Sequence, residues 1–293
     1  MRPRLPFIFA LLASFCALSG HDLGRAVDGA ENPPGQRVFV MGHSFHVFLG
    51  WRLAVLAKAA GIEGHQQVGT QAIGGSRVQQ HWDLPDDKNK AKAALKAGEV
   101  DVLTMSPNWI VPDEGIDRFV ELGLQHNPKL RVLVQESWMP WDGWLPNEKV
   151  SKNEDRDARS LDIVRGANTR FKNLLEPPIR ALNEKLGREV ITVVPVGDAV
   201  LKLRDLIEAG KAPGITKHSE LFTDPIGHAK APVIALATYC TFACLYRRSP
   251  VGLPAADAAL DSLSPDLRPL LQRLAWEAVT EHPLSGVKSK PTP

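Results

Sequence analysis

Residues 38–45, Val-Phe-Val-Met-Gly-His-Ser-Phe, constrain the fold more than any other stretch of the chain. Four apolar residues in a row, two of them β-branched, predict a short strand buried on both faces, the central strand of a parallel sheet. Gly42 breaks the strand and Ser44 follows two residues later, after which residues 47–60 have helical spacing and composition. A serine in a tight strand-to-helix turn lies at the carboxyl edge of a parallel sheet, where open α/β folds hold their ligands. It also lies near a helix N-terminus, where backbone N–H groups favour developing negative charge. A simple helix-capping role explains such a serine equally well, so the meaning of Ser44 depends on what the remaining chain supplies.

Further strands are predicted over 65–70, 101–105, 131–135 and 189–195, alternating with helices over 88–97, 116–125, 155–186, 198–209 and 232–246. Pro177-Pro178 predicts a kink or restart within 155–186. Two short helices are expected in the tail, within 254–283. Five buried strands alternating with helices imply an α/β fold. It is a doubly wound, flavodoxin-like five-stranded parallel sheet flanked by helices, hence a three-layer α/β/α sandwich. Its crossovers bring the carboxyl ends of the strands to one edge, so residues that follow different strands can converge there.

Residues 1–19 have the pattern of an export signal. Arg2 and Arg4 form a basic start, 5–18 is apolar and uncharged, and Ala17-Leu18-Ser19 offers small residues for cleavage near Ser19. The apolar run is short for a permanent anchor. Residues 20–36 form a polar linker, 37–250 the main domain and 251–293 a helical C-terminal extension packed on it. An exported (periplasmic or extracellular) protein with no stable membrane insertion after signal removal is expected. The chain carries 35 Lys+Arg against 33 Asp+Glu, and the signal accounts for the two-charge excess. No basic block stands out, which excludes nucleic acid as an expected partner. Cys240 and Cys244 are four apart in one predicted helix, a poor placement for a disulfide, and are expected as buried small hydrophobes.

Acyl transfer by a serine requires a base, a group to orient that base, and donors for the oxyanion. His228 and Asp224 are the candidate base and orienter. The Ser44 and Gly75 N–H groups and the Asn108 amide are the candidate donors. These residues lie in four short blocks: Gly42-His43-Ser44-Phe45, Ala72-Ile73-Gly74-Gly75-Ser76, Ser106-Pro107-Asn108-Trp109, and Asp224 to His228. In that order and strand context the chain resembles the SGNH (GDSL-like) hydrolases over roughly 37–246. The resemblance implies Ser44 as nucleophile, His228 and Asp224 as its triad partners, and an oxyanion hole of Ser44, Gly75 and Asn108, with no cofactor or metal. Three departures stand out. His43 replaces the Asp of Gly-Asp-Ser, Ser106 and Trp109 alter the third block, and the Asp224–His228 interval is one residue longer than Asp-x-x-His. If the carboxylate does not reach the imidazole, a backbone carbonyl is the alternative orienter. None of His43, His46, His65, His81, His126 or His218 has metal-ligand spacing.

The expected function is therefore a serine hydrolase cleaving an ester. The tryptophans that follow the fourth strand open on the same sheet edge. Trp138 and Trp141, with Trp109 from the third block, are candidate substrate contacts for the sugar ring of an O-acylated carbohydrate. Packing of an irregular loop is the competing explanation for them. A small-molecule or glycan ester is the expected partner. The alternative function is a catalytically inactive SGNH-like protein that binds a cell-envelope glycan or protein.

Overall fold

The computed structural model describes residues 32–255 and 257–288, so the expected export signal (1–19) and most of the expected 20–36 linker lie outside the described residues. The sheet has five parallel strands: β1 (Arg37–Gly42), β2 (Gln66–Ala72), β3 (Val102–Met105), β4 (Arg131–Glu136) and β5 (Ile191–Pro195). Their order is β2-β1-β3-β4-β5, the flavodoxin-like order expected for a doubly wound sheet. β1 pairs with β2 on one side and β3 on the other, which puts the turn after β1 at the crevice where the winding reverses.

Helices cover both faces. On one lie α1 (Leu49–Ala59), α6 (Val196–Glu208), α7 (Ala231–Tyr246) and α9 (Leu267–Glu281), joined by the short α8 (Ala258–Asp261). On the other lie α2 (Val78–Trp82), α3 (Lys90–Lys96), α4 (Gly115–His126) and α5 (Leu161–Lys185). Each face has its own apolar core, as expected when inward and outward side chains of a buried strand both meet helices. Cys240 and Cys244 are fully buried free thiols in α7, pushed up in pKa by burial, Cys244 to about 12. No helix among the described residues is long and apolar enough to cross a membrane.

Two details differ from expectation. α5 runs unbroken through Pro177 and Pro178, with 153–158 a separate 3-10 segment before it. Both prolines and the residues four positions before them, Asn173 and Leu174, are on the exposed side, so water can take the carbonyls left without an N–H partner. The tail does more than pack. The Leu284 carbonyl accepts from the Val193 N–H, so the segment after α9 partners β5, an outer strand of the sheet.

The turn after β1 is pinned from below by His46. Its Nδ1 lies 2.9 Å from Gln135 Oε1 on β4 and its Nε2 3.0 Å from Thr104 Oγ1 on β3. Gln135 Nε2 donates in turn to the Phe45 carbonyl at 2.9 Å. Because the amide oxygen can only accept, Nδ1 carries the proton and the Thr104 hydroxyl donates to Nε2. Burial holds this imidazole down at about 4, against an ordinary 6.5. A histidine kept neutral by folding stabilises fully above its unfolded pKa and loses that contribution as pH falls toward the folded one. Between pH 7 and pH 5, His46 alone is expected to remove about 2 kcal/mol of folding stability. Urea midpoints at the two pH values measure the loss, and His46→Gln is expected to flatten the difference by about that amount.

Candidate functional site

Ser44 does not cap α1. The helix begins at Leu49, its N-cap position is Phe48, and no side chain caps it. The His43 carbonyl instead accepts from the His46 and Val47 N–H groups, a tight turn that leaves Ser44 exposed above the sheet edge. There the Ser44 hydroxyl lies 2.9 Å from His228 Nε2, and His228 Nδ1 lies 2.5 Å from Asp224 Oδ2. With Nδ1–H donating to the carboxylate, Nε2 presents a lone pair to the serine O–H. The extra residue in the Asp224–His228 interval is accommodated. Asp224 Oδ1 accepts from the Gly227 N–H at 2.9 Å and the His228 N–H at 3.2 Å, folding the turn back on its own carboxylate. Partial burial opposes the charged form of Asp224, but the hydrogen bonds from the His228 ring and the two amides outweigh it and hold the carboxyl below its ordinary range.

Gly75, in the left-handed region at φ 62°, and Asn108 face this pair across the cleft. Asn108 Nδ2 donates to the Gly75 carbonyl at 2.9 Å, and its Oδ1 accepts from the Ile110 N–H at 2.8 Å. This ties the second and third blocks together and leaves the second Nδ2 hydrogen unused. Among the described residues nothing accepts from the Ser44 or Gly75 N–H, so three residues that line the cleft each keep an N–H without an acceptor. His43, which stands where the Asp of Gly-Asp-Ser would be, is buried. Its Nδ1 accepts from the Phe45 N–H at 3.3 Å and its Nε2 lies 3.2 Å from the Pro107 carbonyl, so it braces the loop that carries Asn108.

The cleft has a volume of about 400 Å³, with an apolar floor that includes Met139 and Phe171 and a rim that includes Trp109, Trp141 and Ile226. The three predicted tryptophan contacts separate here. Trp109 and Trp141 meet edge to face at 5.1 Å on the rim, with the Lys149 ammonium 4.5 Å from the Trp141 ring centre. Trp138 also borders the cleft but is only 4 % exposed. It stacks on Phe45 at 4.6 Å and donates from Nε1 to the Gly227 carbonyl at 2.8 Å.

Sequence reasoning missed a buried ion cluster behind the cleft. Asp142 pairs with Arg156 through Oδ1 and with Arg204 through Oδ2, all three almost without solvent exposure. Asp142 and Arg156 lie between β4 and α5, where charged residues carry no sequence signal for burial, and Arg204 reaches them from α6. A second cluster, Glu136, Asp198 and His282, brings possible ligand atoms within 4.8 Å of one another. It already contains a cation, since Lys172 Nζ sits 2.6 Å from Asp198 and 3.9 Å from Glu136. His282 Nδ1 accepts from the Leu284 N–H at 3.2 Å, so its Nε2 carries the proton and offers no lone pair to a metal.

No protein-family model matches the chain, and no curated protein sequence matches it. Among solved structures, a DUF4886 family protein from Bacteroides uniformis is similar over 88% of this chain and 98% of that one, at 13% identity and a TM-score of 0.54. The chain shares that protein's fold. Other similar structures include a candidate SGNH hydrolase from Slackia heliotrinireducens, at 17% identity over 71% of this chain and 97% of that one, with a TM-score of 0.42. Phospholipase A1 from Streptomyces albidoflavus is also similar, at 11% identity over 72% of this chain and 99% of that one, with a TM-score of 0.38.

Removing the charge of Asp142 would leave two buried guanidinium groups without their counter-ion. Asp142→Asn is expected to cost about 3–5 kcal/mol of folding stability by urea denaturation. Breaking the exposed Lys185–Glu121 pair with Glu121→Gln should cost less than about 1 kcal/mol.

Proposed function

We propose that the protein is an exported serine hydrolase that cleaves a carboxylic ester. The observation that carries this reading is the continuous chain from the Ser44 hydroxyl through His228 to Asp224 in a cleft that Gly75 and Asn108 also line. Ser44 Oγ attacks the ester carbonyl as His228 Nε2 takes its proton, while the N–H groups of Ser44 and Gly75 and the Asn108 amide hold the oxyanion. As the carbon–oxygen bond to the alcohol breaks, the imidazolium returns that proton to the departing alkoxide. Water then attacks the acyl-serine with His228 as base, the proton returns to Ser44, and the free acid leaves. Asp224 keeps the imidazole in the tautomer this sequence needs and stabilises the imidazolium.

The walls of the cleft favour an uncharged acyl group, since no lysine, arginine, aspartate or glutamate lines it. The Trp109–Trp141 pair on the rim supports a sugar ring as the alcohol part, hence an O-acyl group on carbohydrate, with Trp138 serving the site's structure rather than the sugar.

Two measurements test the proposal. The purified protein is expected to hydrolyse short aryl esters and to be labelled at Ser44 by a fluorophosphonate. Ser44→Ala should abolish labelling and lower kcat by on the order of 10³-fold or more, and Asn108→Ala should lower kcat by roughly 10²-fold. Turnover that survives Ser44→Ala would refute the proposal. For the sugar, the ratio of kcat/KM on an acetylated monosaccharide to that on an aryl acetate should fall at least about fivefold in Trp141→Ala, the scale of a lost aromatic contact.

A further inference from the structure

Four successive carbonyls, those of residues 224–227, form the turn that carries the acid and the base. Each accepts a hydrogen bond. Arg156 Nη2 donates to Asp224 O at 3.2 Å and to Pro225 O at 2.7 Å. The Trp141 backbone N–H donates to Ile226 O at 3.0 Å, and Trp138 Nε1 donates to Gly227 O at 2.8 Å. All of these donors come from the stretch between β4 and α5. Hydrogen bonds local to the turn, Gly227 N–H to Asp224 O and Thr223 N–H to His228 O, close it but do not attach it to the body.

We infer that residues 138–156 act as a clamp that sets the position of His228 against Ser44, with Trp138 and Arg156 as its positioning residues. The inference rests on the ester-hydrolase reading above. An imidazole that must meet a hydroxyl at one nitrogen and a carboxylate at the other tolerates little displacement, and a shift near 1 Å can cost about 10²-fold in rate. The turn has little else to hold it. It is flanked by a single isolated bridge, Phe222 to Ala229, and the His228 and Asp224 side chains are 37% and 35% exposed. The clamp, by contrast, is rigid. Arg156 is fully buried, paired with Asp142, tied by Nε to Asn153 Oδ1 at 3.1 Å and centred 4.5 Å from the Phe222 ring. Asn153 itself donates to the Ser219 and Phe222 carbonyls, so the approach to the turn is held from the same stretch. Trp138 is locked by its stack on Phe45, whose edge-on contact with the His228 ring at 5.5 Å closes the circuit back to the nucleophile turn. Gly227 holds φ 104°, a conformation that L side chains rarely adopt, and it lies against both donors: a Cβ there would make ordinary contact at 3.4 Å with Arg156 Nη2 and 3.4 Å with Trp138 Nε1.

Trp138→Phe keeps an aromatic ring against Phe45 and removes the N–H that Gly227 O uses together with one ring of the indole; with its melting temperature measured beside its kinetics, it is the deciding variant. On a short aryl ester it is expected to lower kcat by about tenfold with KM within about twofold, and to slow fluorophosphonate labelling of Ser44 by the same factor as kcat. Arg156→Met is expected to lower kcat by about 10²-fold, and Arg156→Lys, which restores the charge but not the planar fork, to recover only part of the loss. Thermal melts accompany each variant; if the Arg156 variants do not fold, Trp138→Phe decides alone. An unchanged kcat in Trp138→Phe would overturn the clamp, and a raised KM at that constant kcat would make Trp138 a substrate contact instead. Wild-type protein that neither turns over esters nor labels would overturn the ester reading itself, and is distinguished from failure of the clamp because it appears before any variant is made.

Discussion

The buried carboxylate of Asp142 is the point on which the site's geometry depends. Two guanidinium groups, Arg156 and Arg204, reach the interior only because this single anion compensates them, and a carboxylate buried without such partners would be strongly disfavoured. The excess positive charge is spread over acceptors the loop supplies: the carbonyls of Asp224 and Pro225 for Arg156, and His218 Nδ1, 3.3 Å from Arg204 Nη2. The backbone bears strain to put Asp142 there. Trp141 and Asp142 are both left-handed, at φ 55° and 54°, although neither is glycine. Such a conformation costs on the order of 1–2 kcal/mol per residue, a cost the ion cluster offsets. The double inversion also points the Trp141 ring toward Trp109 on the cleft rim while Asp142 faces the core, so one local distortion serves the cleft wall and its foundation together.

The two halves of the site are thus anchored in different ways. The Ser44 turn is fixed from beneath by neutral groups: His46 between Gln135 and Thr104, and His43 against the Pro107 carbonyl. These are hydrogen bonds to the sheet's own side chains and loops, short in space because β1 lies next to β3 and β3 next to β4. The turn that carries Asp224 and His228 follows no strand. Beside the isolated Phe222–Ala229 bridge it leans on the stretch after β4, where the buried guanidinium of Arg156 donates alongside the neutral N–H groups of Trp138 and Trp141. A neutral residue can be held by close packing, but a turn remote from the sheet needs donors with reach. Arginine, with a long stem and a rigid fork, satisfies two carbonyls at once.

How much of this was legible in the sequence follows from the same contrast. The strand at 38–41, the glycine that ends it and the helix after it announce themselves through apolar runs and turn residues, because burial of a strand between two helical layers leaves a pattern in residue type. Ser44, Gly75 and Asn108 could be singled out because each follows such a strand, and topology alone then brings them to one edge. His228 and Asp224 could be named by their spacing, but not the way the longer interval closes, which depends on the Gly227 and His228 N–H groups bonding Asp224 Oδ1. Trp138 and Trp141 look alike in the sequence, three apart in one loop. Only the backbone inversion at Trp141 separates them, one to the core against Phe45 and the other to the rim. Arg156 had no visible signal, since a polar stretch around 151–159 has the composition of a solvated helix start whether or not one of its arginines turns inward; Arg204 lies on α6 beside the apolar stripe of Val200, Leu203 and Ile207, a position that does not by itself separate a buried arginine from one at the edge of the stripe. Pro177-Pro178 misled in the opposite direction, because a helix interruption is costly only where the freed carbonyls cannot meet water.

A longer Asp–His interval would ordinarily argue against a working acid–base pair, since each added residue enlarges the set of conformations the turn can adopt. Here the additional residue adds a carbonyl, and every carbonyl of 224–227 has a donor. The extra length is therefore spent on attachment rather than on freedom. The same bonds link the cleft wall to the base: Trp141 presents its ring to the cleft and its N–H to Ile226 O, two residues before His228. A ligand pressed against that ring bears on a backbone already joined to the acid–base turn. Contact at the rim and alignment of the imidazole are for this reason not independent properties of the fold.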